Sequence, residues 1–318
     1  MAWTVIHDLD EFLAAAGDHL GAEPVLNTVP LTVLDSLRKR GPSAYGDARP
    51  VYGWHESVSG QVDGALLQTP PYPVLVATLP AGSAAGLIRR LGSAARLPAA
   101  VNVSSTDEAD FGAAWAQATG GSASGEQRSR LFRLERLVPP QPAPPGAARI
   151  AGHGDRELLI EWLLAFGQEA GGSFGDTART VDDRLSHDGL MLWEAGGSAV
   201  AVAGSTREVA GVVRIGPVYT VPAHRQRGFG GGVTAAASQA ALDAGASAVV
   251  LFTDLANPTS NALYQRLGYR PVCDRVLLRL APDGSAGGSD RARPDAHAPD
   301  SAAPDLMGPE SAGPGVTL

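Results

Sequence analysis

The chain has 318 residues, of which 44% are hydrophobic, a formal net charge of -8 and one cysteine. That length exceeds one ordinary domain, and the negative balance excludes broad nucleic-acid binding, which needs an excess of Lys and Arg. The lone Cys273 excludes an internal disulfide or a thiolate metal cluster and, beside Val272 and RVLLRL, is expected to be an ordinary buried thiol.

No apolar run approaches the roughly 20 residues that span a bilayer, and the start MAWTVIHDLDEF is acidic where a signal peptide would be basic, so a cytoplasmic location without membrane attachment is expected. From the N-terminus, helices are predicted near Leu9 to Leu20 and Val25 to Arg40, followed by strand-like runs RPVYGWHES, QVDGALLQT and YPVLVATL. The segment PPQPAPP at 139–145 cannot form a helix or a central strand, because each proline lacks the amide donor and fixes its own backbone angle, so it predicts a linker over residues 139–147 between domains 1–138 and 148–281. Residues 282–318 have too little apolar content to offset chain ordering and are expected to form a disordered tail.

In the second domain, Asp155 to Ala170 carries Leu159, Trp162, Leu163 and Phe166 at helical spacing, and a shorter helix is predicted over Thr177 to Leu185. LMLWEA, SAVAVAGS and VVRIGPVYTV then form an antiparallel meander, its first turn made by Gly196 and Gly197. A helix over Gly230 to Ala244, strand AVVLFT, helix Pro258 to Leu267 and strand VCDRVLLRL complete the order. Trp54 and Trp193 fall at similar places in the first meander strand of each half, so the chain is expected to hold two α/β units with mixed sheets and the same architecture.

The segment VYTVPAHRQRGFGGGV suits an anion. Gly228, Gly230, Gly231 and Gly232 permit close backbone approach, Arg225 and Arg227 add charge, and a helix starting near Gly230 aims its positive end at the same place. A flexible glycine turn is the bland alternative. Val233 stands where a dinucleotide loop needs its third glycine, and a Walker loop is excluded because no GK[ST] occurs and the only lysine, Lys39, lies in the other half. Gly216 and Pro217 interrupt the preceding strand, so Val218 to Thr220 are expected to carry unpaired backbone groups able to bind an extended amide-rich arm, or else the sheet ends there.

In NPTSNALYQRLGY, Asn257 suits an N-cap, Pro258 the first helical position and Gly268 the stop. Asn257, Asn261 and Tyr264 fall on one face, while Leu263 and Leu267 form an apolar stripe. Asn257 serves as a cap or as a ligand contact, and Tyr264 as a reactive phenol or as core filling.

These motifs resemble the GNAT acyltransferase superfamily: Arg225, Gly228 and Gly230 match its RxxGxG/A loop, and NALYQRLGY matches its NxxAxxLYxxxGF/Y region. The resemblance covers most of residues 149–280 and implies tandem GNAT-like folds, the C-terminal one complete and the N-terminal one, which lacks the loop, degenerate. It implies acetyl-CoA as acyl donor and no metal. The loop from Gln226 through Phe229 and Gly230 to Gly231, with Arg225 and Arg227, would hold the pyrophosphate. Val218, Tyr219 and Thr220 would pair with pantetheine, Asn257 and Asn261 would face the cofactor, and Tyr264 would protonate the departing thiolate.

The implied reaction is direct attack of a primary amine, on a small molecule or a protein, upon the thioester. Its general base is expected at Glu194, with Glu208 and Glu169 behind it, because the strand Val212 to Thr220 carries Arg214 and no carboxylate. A non-catalytic acyl-CoA sensor or interaction module is the alternative, and a dinucleotide oxidoreductase ranks third.

Overall fold

The computed structural model describes residues 2–94, 97–170 and 176–282. The first half of the chain runs β1 (Ala2–Ile6), α1 (Leu9–Ala22), α2 (Thr28–Arg40), β2 (Val51–Glu56), β3 (Val62–Gln68), β4 (Val74–Thr78), α3 (Ala84–Ala94), β5 (Ala100–Ser104), α4 (Glu108–Thr119) and β6 (Ser122–Leu134). The second runs β7 (Ala147–Ile150), α5 (Arg156–Glu169), α6 (Thr177–Leu185), β8 (Leu190–Ala195), β9 (Ser198–Ser205), β10 (Val212–Thr220), α7 (Phe229–Asp243), β11 (Ala248–Asp254), α8 (Pro258–Arg266) and β12 (Tyr269–Ala281). Apart from short 3-10 turns, the two halves share one order, as the sequence pattern predicts. The tail expected at 282–318 lies outside the described residues from position 283 onward.

The chain divides into two compact units, Met1–Arg128 with the segment beginning at Asp274, and Ser129–Cys273. In the first, β1-β2-β3-β4 is an antiparallel series, β4 pairs in parallel with β5, and β5 pairs antiparallel with Arg275 to Arg279 of β12. In the second, β7-β8-β9-β10 is antiparallel, β10 pairs in parallel with β11, and β11 pairs antiparallel with Ser129 to Arg133 of β6. The last strand of each half thus completes the sheet of the other unit.

The proline-rich segment expected to link the halves instead lies within the second unit. Pro144 is buried, and Trp193 Nε1 donates to the Pro145 carbonyl at 2.9 Å. A Cβ on Gly232 would lie 2.8 Å from Pro144 and 3.0 Å from the Trp193 ring, so this glycine leaves room for the strap on α7. A proline-rich run with few amide donors suits a strap packed through ring faces as well as it suits a linker.

Strand alternation sorts the core of the second unit onto two faces of its sheet. Trp193, Val213, Ile215 and Val218 pack with Phe229 and Val233 of α7. Leu190, Leu192, Val202 and Tyr219 pack with Leu159, Trp162, Leu163 and Phe166 of α5. Each such side chain contributes about 1.5–3 kcal/mol on burial, which fixes β10 between two helical layers. Gly196 and Gly197, with φ of 63° and 80°, make the tight β8–β9 turn. Cys273, expected to be buried, is partly exposed, because only alternate residues of β12 face the core.

Candidate functional site

The site starts from a divergence of two strands. Parallel pairing of β10 with β11 covers Val212 to Ile215 and ends at the Ile215–Leu251 rung. The pairing of β10 with β9 shifts register between Ile215 and Val218 and resumes through Thr220. Val218 to Thr220 therefore remain held on the β9 side while leaving the β11 ladder, which is the arrangement the Gly216–Pro217 interruption predicts. Arg184 of α6, itself buried, fixes the departure by donating from Nη1 to the Gly216 carbonyl at 2.6 Å. The sequence reading missed Arg184. Its one signal is Gly204 on β9, where a Cβ would collide with the Arg184 guanidinium.

Beyond Thr220 the chain turns through Pro222–His224 into the glycine-rich loop. Gln226 and Gly228 adopt left-handed φ values of 60° and 83°, and Gly228 is the N-cap of α7 with no side-chain cap. The first helical bond runs from the Gly232 N–H to the Gly228 carbonyl at 3.0 Å, so the amides of Phe229, Gly230 and Gly231 precede the ladder. With the helix dipole they form a concentrated set of donors at one end of a 15-residue helix. A Cβ on Gly230 would lie 3.2 Å from Thr220 Oγ1, which places the start of α7 against the end of β10.

The two arginines divide. Arg225 donates from Nε to the Thr220 carbonyl at 3.0 Å and from Nη2 to both carboxylate oxygens of Glu169 at 2.8 and 2.7 Å, with its guanidinium over the Tyr219 ring at 5.6 Å. It holds protein groups, and the Thr220 carbonyl expected to meet an extended ligand is taken. Burial, and then the charge of Glu169, push the Tyr219 phenol up from its ordinary range. Arg227 is exposed, 5.4 Å over the Phe229 ring and 3.2 Å from His224 Nδ1.

On α8, Asn257 Oδ1 accepts from the Ser260 N–H at 3.0 Å, so Asn257 serves as the N-cap of the helix. Asn261 turns its Nδ2 onto the Asp254 and Asn257 carbonyls at 2.8 and 2.7 Å. Its Oδ1 is buried without a partner, as is Thr220 Oγ1. Such atoms are costly unless something donates to them. Tyr264 is 1% exposed, packed edge-on to Tyr269 at 6.1 Å within the α7 core. The stripe expected on one helical face is thus a cap, a half-committed amide and a buried phenol.

Glu194 does not join this group. Its carboxylate accepts from Arg149 Nε at 2.7 Å, and Arg149 also binds Asp155 at 2.7 and 2.8 Å, holding the Asp155 carboxyl below its usual range. Residue 194 pairs with Ala147 and Ala199, which sets it two strands, about 10 Å, from β10. The carboxylate expected to act as base is thus paired with an arginine, a neighbour that strand alternation could not show. Among the described residues no cluster of His, Cys, Asp or Glu suits a metal ion, and no helix is long and apolar enough to cross a membrane.

The first unit has the matching divergence, filled differently. Pairing of β4 with β5 ends at Leu75–Asn102. There Arg275 Nη2 donates to the Val76 and Asn102 carbonyls at 2.6 and 3.1 Å, and its Nε to Asn102 Oδ1 at 2.6 Å. The buried guanidinium bridges the two strands where they part.

Residues 157–269 match the model of the acetyltransferase (GNAT) family. Among solved structures, the chain is similar to a GNAT-family acetyltransferase from Colwellia psychrerythraea, at 14% identity and TM-score 0.57, over 87% of this chain and 98% of that one. A GCN5-related N-acetyltransferase from Sphaerobacter thermophilus aligns at 18% identity and TM-score 0.56, over 87% and 94%. A tandem GNAT protein from the clavulanic acid biosynthesis pathway aligns at 16% identity and TM-score 0.52, over 91% and 100%. No curated protein matches the sequence.

Proposed function

We propose that the protein is an acetyl-CoA-dependent N-acetyltransferase, transferring an acetyl group to a primary amine of a small molecule or a protein: residues 157–269 match the acetyltransferase (GNAT) family model, and the whole chain is similar in fold to a tandem GNAT protein. The observation that carries this reading is the parting of β10 from β11 after Ile215–Leu251 beside the uncapped start of α7. An extended chain ending in phosphates needs both features together, backbone edges for its amides and unpaired N–H groups for its charge.

The residues fit such a carrier. The amides of Phe229, Gly230 and Gly231, with the turn at Gln226 and Gly228 and the charge of Arg227, would hold the pyrophosphate. The strand edge at Val218 and Tyr219 would hold the pantetheine arm, and the unpartnered Asn261 Oδ1 and Thr220 Oγ1 supply acceptors for its donors. Bound acetyl-CoA supplies an activated acyl group as a thioester. Backbone N–H groups of β10 near Val218 stand at the edge where a carbonyl oxygen gaining charge would be stabilised. Tyr264, which is 1% exposed, would supply the phenol proton that the departing thiolate takes up.

A sensor that binds acyl-CoA without transferring the group is the second reading, favoured by Arg214 buried on β10 and by Glu194 being held by Arg149. Turnover of acetyl-CoA against a panel of primary amines, with Tyr264→Phe as control, separates the two. Amine-dependent release of coenzyme A supports the enzyme, whereas tight binding with no release for any amine supports the sensor.

A further inference from the structure

The loop between β10 and α7 makes a demanding turn. Gln226, which has a Cβ, sits at φ 60° two residues before Gly228 at φ 83°. A non-glycine residue in that region is held against an intrinsic cost of about 1 kcal/mol or more, so the surroundings must impose the conformation.

Arg225, immediately before Gln226, is anchored on three sides. Its Nε reaches back to the Thr220 carbonyl, its Nη2 lies between the two oxygens of Glu169 at the end of α5, and its plane covers Tyr219. Tyr219 is backed in turn by Trp162 of α5 at 6.0 Å between ring centroids. Both members of the ion pair are about one-third exposed, 33% for Arg225 and 32% for Glu169, so the pair is screened only in part.

We propose that Glu169 is a positioning residue for carrier binding: by fixing Arg225 it sets the left-handed turn at Gln226 and Gly228 and thereby the aim of the first α7 amides. The inference rests on the carrier-binding reading above and departs from the expectation that Arg225 meets the phosphates itself. With its charge matched by Glu169, Arg225 acts through loop geometry, and the groups left to face an anion are the amides and Arg227.

Titration of coenzyme A into the full chain tests this, comparing wild type, E169Q, R225Q and the double variant. Each single variant is expected to weaken binding about tenfold, with the double no weaker than either single, because both changes remove one device. Melting temperatures should stay within about 2 °C of wild type, since a partly exposed pair adds little to stability. If E169Q unfolds, E169D, which keeps the charge but withdraws the carboxylate by one methylene, carries the same comparison. Binding by E169Q as tight as wild type or tighter, with R225Q weakened, would make Arg225 a direct ligand and overturn the proposal, as would additive losses in the double variant. A wild-type chain that binds no coenzyme A would instead remove the reading of the site, and this inference with it.

Discussion

Gly230 of α7 faces Thr220 of β10 so closely that a Cβ on the glycine would lie 3.2 Å from the threonine Oγ1. The helix whose first amides would face an anion is therefore set directly against the strand edge that would hold the rest of the carrier. A methyl group fits with a shift of a few tenths of an ångström, whereas a branched side chain does not. Gly230→Ala is expected to keep coenzyme A affinity within about threefold, and Gly230→Val to lose about tenfold or more, as calorimetric titration would show.

The same helix depends on the proline strap. Gly232→Ala places a methyl against both Pro144 and Trp193, and overpacking of this kind costs about 1–3 kcal/mol. Urea denaturation should show a lower midpoint with an unchanged slope. A midpoint equal to wild type would mean that Pro144 yields freely and is no part of the helix's support.

Arg275 bridges Val76 and Asn102 in the first unit from a buried position. Arg275→Met strands those acceptors without donors, which is expected to cost about 1–3 kcal/mol in chemical denaturation. The same bridge occupies the divergence that, in the second unit, would receive the carrier, so native mass spectrometry of the full chain should find one coenzyme A per chain. Two would mean that the guanidinium gives way.

Asp155 supplies a pH-dependent contribution. Hydrogen bonding to Arg149, aided by the Gly152 N–H, lowers its carboxyl pKa. The contribution is therefore fully present above the unfolded value near 4 and is lost as pH falls through the folded value. Wild type should be more stable than Asp155→Asn at pH 7, and thermal melts should converge as the pH drops below about 4. A difference that persists unchanged into acid would show that packing of the side chain, and not its charge, is what matters.

What was legible in the sequence is what is local. The Gly196–Gly197 turn, the Asn257 cap and the glycine-rich entry to α7 each depend on a few adjacent residues, and the structure places all three as their composition predicts. The exchange of β6 and β12 was not legible, because a 13-residue strand carries no mark of which sheet it completes. Nor was the capture of Arg225 by Glu169, 56 positions away, or of Glu194 by Arg149. Each turned a plausible reactive group into a fixed one. The elements α3 and α4 of the first half were not placed either: α4 is alanine-rich with a weak apolar stripe, whereas α3 carries Leu87, Ile88 and Leu91 at helical spacing, a signal that was there to read.

N-acetyl transfer is tested most directly by acetyl-CoA turnover by the full chain, followed by thiol release and by mass detection of the product, over a panel of small primary amines and amine-bearing peptides. Amine-dependent release of coenzyme A with a matching acetylated product is expected, lost or cut at least about tenfold in Gly230→Val. Saturable acetyl-CoA binding with no acetylated product from any amine would contradict the proposed transfer.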